Sequence, residues 1–242
     1  MVMDYRERSI IPPRNRLLAA LPPAEYMQLY PQLERVHLQP RQILYTPGTP
    51  LTHVYFPEGG VVSLFVVLED GATTEVAALG NRDIVGLSLF FGAAASQEQV
   101  VCQLACEAVR MEAGALLAAA AASATLHRLL HVYTEVLLRQ TVQTSACNRH
   151  HSAEARLTRW LLLTQDHVGA DYLPLTHEVL ADILGVRRAT ITLAARALQE
   201  AGLIRYQRGS VTIVDRAGLE AVACECYGVI RAAYARLGEQ LA

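Results

Sequence analysis

Hydrophobic positions change their period several times along the chain. Residues 1–13 carry charge and proline without any period and predict a loose arm, after which Asn15 to Tyr30 predicts a short helix or helix pair interrupted by Pro22-Pro23. From Val36 to about Met111 the texture is that of strands. Runs such as RQILY, HVYFPEGGVVSLFVVLE, TTEVAAL and EQVVCQLACEAVRM are separated by Pro47-Gly48, Gly59-Gly60, Asp70-Gly71 and Gly80-Asn81. Short strands punctuated by glycine turns predict a sandwich or small barrel, with Asp70-Gly71 as the strongest hairpin signal. After Glu112 an alanine-rich segment returns to helix.

A long helix follows from about Ala124 to Cys147. Leu126, Leu130, Tyr133, Leu137, Gln140, Thr144 and Cys147 recur at steps alternating four and three, the spacing of a coiled-coil seam, with Glu135 and Arg139 as an i,i+4 pair beside it. The same pattern also suits a helix packed on its own β-domain. Asn148 to Ser152, NRHHS, is polar and unpatterned and reads as a hinge. Beyond it, Ala153 to Val168 predicts an amphipathic helix that buries Leu157, Trp160, Leu161 and Leu163, and a last helix is expected from Arg216 to Leu241.

Between these two helices, Leu175 to Ile204 reads as two short helices joined by a tight turn. Thr176 is an N-cap ahead of the apolar face Val179, Leu180 and Ile183. Gly185 ends the first helix because glycine takes a left-handed turn without steric cost. The second helix turns Ile191, Ala194, Ala195 and Leu198 inward and leaves Arg188, Thr190, Thr192 and Arg196 facing out near its N-terminal end, the part of a recognition helix that enters the major groove. Two runs rich in β-branched residues then flank Arg208-Gly209-Ser210 and predict a hairpin, so the unit is a winged helix.

Charge sharpens that reading. The whole chain has a formal net charge of -2, but from Arg187 to Arg208 five arginines (187, 188, 196, 205 and 208) stand against one acid, Glu200, the local footprint expected for a polyanion. All 21 basic residues are arginine, a composition that suggests a GC-rich bacterial genome. With 242 residues, two domains able to bury a core are expected. The 5 cysteines, an odd number with no signal peptide ahead of them, predict a reduced, cytoplasmic protein. No apolar run approaches the ~20 residues of a membrane span.

A β-rich first half, a seam helix, a hinge, and then THEVLADILGVRRATITLAARALQEAGLI with a hairpin resemble the Crp/Fnr family of bacterial transcription regulators across nearly the whole chain. The resemblance implies an α+β chain: an N-terminal cyclic-nucleotide-binding-like jelly roll over residues 1–122, a dimerisation helix over 123–147, and a winged helix-turn-helix with an extra C-terminal helix over 152–242. It further implies a homodimer through Leu126, Leu130, Tyr133, Leu137, Gln140 and Thr144 that reads a palindromic operator in double-stranded DNA, with RNA polymerase as a candidate partner. Carried over by position, Thr176 and His177 would meet phosphate and Arg188 would read a base, while Arg187, Thr190, Thr192, Arg196 and Arg208 complete the DNA-binding set.

Two departures from the family matter. In the recognition helix, Ala189 and Leu193 stand where the best-known cyclic-AMP-dependent member has a glutamate and a second arginine, so a different operator is expected. In the effector pocket, Gly86-Leu87-Ser88 lacks the ribose-binding glutamate, Gln97 and Glu98 fall where the phosphate-binding arginine and its neighbour belong, and no arginine occurs between Arg82 and Arg110. A buried phosphodiester without a cation is poorly compensated. Cyclic AMP is therefore not expected to bind in the usual way, and the effector is unknown or absent.

Other constellations point elsewhere only weakly. Oxygen-sensing relatives hold an iron–sulfur cluster on N-terminal cysteines, and this chain has none before Cys102. Cys102, Cys106, Cys224 and Cys226 read as small buried hydrophobes, the last two at an i,i+2 spacing that points to different faces of a helix, so no metal is expected. His127 and His131 are four apart, but Arg128 lies between them where a zinc-protease motif needs glutamate. No catalytic residues are assigned and no enzyme is expected. The alternatives are a winged helix that docks to protein and a metal-dependent jelly-roll enzyme.

Overall fold

The structure, a computed structural model, describes residues 11–241, so the first ten residues of the expected loose arm lie outside it. Helices α1 (Arg16–Ala19) and α2 (Pro23–Leu29) are separated where Pro23 opens the second. Buried Asn15 caps α1 by accepting from the Leu17 and Leu18 amides, and its side-chain amide donates to the Pro57 and Asp83 carbonyls at 2.8 and 2.9 Å. One polar side chain thus ties the first helix to the β-domain.

That domain is a two-layer antiparallel jelly roll. Strands β1 (Glu34–Leu38), β2 (Ile43–Tyr45), β3 (His53–Pro57), β4 (Val61–Val67), β5 (Thr73–Leu79), β6 (Gln99–Leu104) and β7 (Cys106–Glu112) form sheets of order β1-β7-β3 and β2-β6-β4-β5. Alternation along β6 turns Val100, Cys102 and Leu104 inward, where they join Val54, Phe56, Val62, Leu79 and Met111 in the core. Helix α3 (Ala113–Ala122) closes the domain. Ser123 then caps α4 (Ala124–His150) by accepting from the Leu126 amide.

The rest of the chain is α5 (Ala153–Val168), β8 (Tyr172–Leu173), α6 (His177–Leu184), α7 (Arg188–Glu200), β9 (Ile204–Gln207), β10 (Ser210–Ile213), α8 (Arg216–Val222) and α9 (Glu225–Leu241). Leu157, Trp160, Leu161 and Leu163 of α5 are buried as the amphipathic pattern required. No single helix among the described residues is long and apolar enough to cross a membrane.

Three expectations need correction. The seam of α4 does not face a partner: Leu126, Leu130, Tyr133, Gln140 and Thr144 are at most 2% exposed within one chain and Leu137 is half-buried. Those residues meet the β-domain and α9. Gln140 donates to the Ala78 carbonyl, and the Tyr133 and Tyr234 hydroxyls reach the buried Asp83 carboxylate at 3.0 and 2.6 Å. A heptad-like spacing defines a buried stripe but not what covers it. Second, the hinge shrinks, because Asn148, Arg149 and His150 continue α4, leaving His151 as its C-cap and Ser152 as the N-cap of α5. Third, the last helix is two helices, broken at Ala223 and Cys224.

The winged helix is docked on its own β-domain. The Trp160 indole donates to Glu75 on β5 at 2.8 Å, the buried Arg156 guanidinium donates to the Leu184 carbonyl, and α6 lies along β5. These contacts leave α7 outermost.

Candidate nucleic-acid interface and effector pocket

Local chemistry forms the helix-turn-helix as the sequence predicts. The Thr176 hydroxyl accepts from the Val179 amide, and Gly185 ends α6 at φ 60°. Buried Leu180 and Ile183 of α6 face Ile191, Ala194, Ala195 and Leu198 of α7, fixing the angle between the helices. The opposite face of α7 is open. Arg188, Thr192, Leu193 and Arg196 are exposed, Thr190 is half-buried, and Arg187 is exposed at the N-cap. Among the described residues Arg187 and Arg188 form no ion pair, whereas Arg196 is held by Glu200 at 2.7 Å. Two guanidinium groups therefore stand at the N-terminal end of α7, where the helix dipole adds to their positive field.

The wing supplies a further cation. Arg208 and Gly209 form the two-residue turn between β9 and β10, with φ 48° and 81°, the positive values a type I′ hairpin demands at both central positions. That turn projects the exposed Arg208 side chain from the wing tip.

His177 is tied into the fold on several sides. Its ring stacks on Tyr206 at 3.9 Å, its amide donates to the Tyr206 hydroxyl at 3.0 Å, and its Nδ1 lies 3.1 Å from the Thr192 hydroxyl, while Nε2 is buried without a partner. Burial, and secondarily the Arg188 charge, push its pKa down, so the ring is neutral at pH 7. With Nε2 buried and Nδ1 at the Thr192 hydroxyl, the ring joins the start of α6 to α7 and the wing. Tyr206, which holds it there, carried no sequence signal beyond its place in a short strand.

The pocket in the jelly roll is small. Gly86 begins the 3₁₀ turn Leu87–Phe91, and Gly86, Leu87, Ser88 and Glu98 line a cavity of about 80 Å³ together with Tyr45 and with Leu137 of α4. Gln97 is exposed and does not line it. None of the lining residues is cationic, and Glu98 contributes a carboxylate. Ligand sites are usually ~300–1,000 Å³.

Cys102 and Cys106 are buried in strands, and desolvation raises their thiols to about 11 and about 12, so they are inert packing residues. Cys224 and Cys226 behave differently. Because Cys224 precedes α9 instead of lying within it, the two thiols do not point apart but converge on Cys147 and His151.

The cyclic nucleotide-binding domain family matches residues 35–123, and the Crp-like helix-turn-helix domain family matches residues 155–222. No curated protein sequence matches the chain. FixK2 from Bradyrhizobium japonicum shares the fold at 18% identity and a TM-score of 0.68, over 79% of this chain and 98% of that one. A Crp/Fnr-family transcriptional regulator from Eubacterium rectale does so at 21% identity and a TM-score of 0.65, over 86% and 98%. The c-di-GMP-responsive global regulator CLP from Xanthomonas campestris is similar at 17% identity and a TM-score of 0.64, over 79% and 99%. With a cyclic nucleotide-binding domain ahead of a Crp-like helix-turn-helix domain on this shared fold, the chain belongs to the Crp/Fnr family of transcription regulators.

Proposed function

We propose that this regulator acts as a homodimer that reads a palindromic operator in double-stranded DNA, and that cyclic AMP is not its effector. The observation that carries the reading is the pair of exposed arginines, Arg187 and Arg188, without an ion pair among the described residues, at the N-terminal end of α7, beside a wing tipped by Arg208. Arg188 makes a bidentate guanine contact, while Arg187, Thr176, Thr192, Arg196 and Arg208 position the backbone. Residues 1–122 serve as the effector-type domain, the long helix as the connector, and residues 152–242 as the DNA-binding unit.

Two winged helices must sit ~34 Å apart to enter successive major grooves. Since the inward stripe of α4 is already covered, the second copy docks on the outward one, where Leu138 and Val142 are 60% and 59% exposed and continue in line with Thr134 and His131. The cavity speaks against cyclic AMP: its volume, its lack of a cation and the presence of Glu98 all disfavour a phosphodiester.

The test is selection of fragments of the source genome by the purified protein, with and without cyclic AMP, followed by a salt titration on the best fragment. A palindrome recovered equally in both conditions, with affinity falling steeply as salt rises, is the expected result. A requirement for cyclic AMP would refute the pocket assignment. Failure to enrich any fragment would refute the DNA reading in favour of protein docking.

A further inference from the structure

The end of α4 and the start of α9 bring four soft ligands to one point. Cys147 lies in the last turn of α4 and His151, four residues on, is its C-cap, while Cys224 and Cys226 flank the first residue of α9. The Cys147 and Cys224 sulfurs lie 3.7 Å apart, Cys226 Sγ is 3.5 Å from His151 Nδ1, and all four ligand atoms fall within 4.8 Å of one another. A tetrahedral zinc ion with Zn–S near 2.3 Å and Zn–N near 2.0–2.1 Å has S···S edges of ~3.8 Å and S···N edges of ~3.6 Å. The 3.7 and 3.5 Å separations match those edges, and the others stay within 4.8 Å. They are too short for an iron–sulfur cluster, which spreads its thiolates around several irons.

We infer that Cys147, His151, Cys224 and Cys226 bind one zinc ion in a closed Cys₃His site that clamps the last helix to the end of the long helix. Softness of the donors selects zinc over hard divalent cations, and four protein ligands leave no open position, so the site is structural and not hydrolytic.

The surroundings are those of a finished metal site. His151 offers Nδ1 to the cluster while its Nε2 lies 3.4 Å from the Glu225 carboxylate, the second contact that orients a ligating imidazole. Gln143 donates to Cys226 Sγ at 3.0 Å. Three thiolates and one zinc carry a net charge of -1, which needs compensation in a partly buried place. Two buried arginines of α5 supply it: Arg159, which donates to the Thr144 hydroxyl at 3.0 Å, and Arg156 both act electrostatically on Cys147, and neither forms an ion pair among the described residues. The thiolates add to the partial compensation that Glu75 offers Arg159, and buried guanidinium groups need such anions.

The position of the site sets its consequence. The chain leaves α4 at His151, builds the whole winged helix, and returns at Cys224, so one ion binds both ends of the DNA-binding unit to the connector helix. Metal loss loosens the start of α9 from the end of α4 and with it the base of the winged helix, while Tyr234 still ties the later turns of α9 to Asp83 and Gln140.

Elemental analysis of the untagged full chain, purified under reducing conditions with zinc in the medium, tests this directly. The expected result is about one zinc per chain. After exchange for cobalt, visible d–d bands and near-ultraviolet thiolate-to-cobalt charge transfer should appear. Cys224→Ser and His151→Ala should each lose the metal and its spectrum, and His150→Ala, on an exposed neighbour, should keep both. Chelation should lower the thermal midpoint of the wild type while leaving that of Cys224→Ser unchanged. A folded, monodisperse wild type without stoichiometric zinc or a cobalt–thiolate spectrum, or with a Cys147–Cys224 disulfide in place of the metal, would overturn the inference. So would retention of zinc by both Cys224→Ser and His151→Ala. None of these readouts depends on DNA binding.

Discussion

The Trp160 indole nitrogen donates to Oε1 of Glu75 at 2.8 Å, joining the first helix of the DNA-binding half to a strand of the jelly roll across 85 residues of sequence. The same carboxylate accepts from the Ser63 hydroxyl and has no exposure to solvent worth counting, at 3%. Burial raises Glu75 to about 7, against the opposing pull of Ser63, Arg159 and Trp160. The native state therefore keeps a proton that the unfolded chain releases near pH 4.5. Stability is fully favoured below that pH and falls as pH rises towards 7, by up to ~3 kcal/mol from this group. Denaturant midpoints at pH 5.5 and 8 should show the decline in the wild type and a smaller one in Glu75→Gln. An unchanged slope in the variant would place the titration elsewhere.

Arginine roles separate by what each substitution does to sequence preference. Arg188→Ala should lose ~1–3 kcal/mol of discrimination at one operator position, while Arg208→Ala should weaken all sequences alike and reduce the salt slope by about one. Binding of the selected operator and its single-base variants across a salt series distinguishes them. The reverse pattern would exchange the two roles.

The two faces of α4 should respond in opposite ways. Leu138→Glu, on the exposed face, should shift the sedimenting species to monomer with little change in thermal midpoint. Leu130→Ala, with its side chain fully buried, should cost ~2–5 kcal/mol of stability and leave self-association intact in whatever fraction is folded. A wild type that sediments as a monomer at all concentrations would remove the dimer.

Tyr234 tests how α9 is held. Its hydroxyl donates to Asp83 at 2.6 Å and lies 2.8 Å from Gln140 Oε1, among buried side chains. Tyr234→Phe leaves a buried carboxylate with one donor fewer and should cost ~1–3 kcal/mol in urea unfolding with an unchanged m-value. A cost near zero would mean that α9 is held by apolar packing alone.

Local chemistry was readable where one short stretch holds all the causes. The Thr176 cap, the left-handed Gly185 and the inward set from Ile191 to Leu198 needed nothing from the rest of the chain, and the family pattern rests on them. The surroundings of His177 were not legible because they come from Tyr206, on a strand that follows after α6 and α7. The break at Cys224 was missed because CEC carries no helix-stopping residue, and a helical CxC points its thiols apart.

The sequence by itself determined the order of elements, the jelly-roll texture, the helix-turn-helix and the cationic face of α7, since periodicity, caps and turn residues act over a few positions. Only the tertiary structure decided that the α4 stripe is covered by its own β-domain and α9, that Glu75 is buried against Trp160, and that Cys147 and His151 meet Cys224 and Cys226. A buried stripe looks the same in sequence whatever covers it. Convergence of side chains some 75 residues apart depends on how the helices pack, which no local pattern encodes.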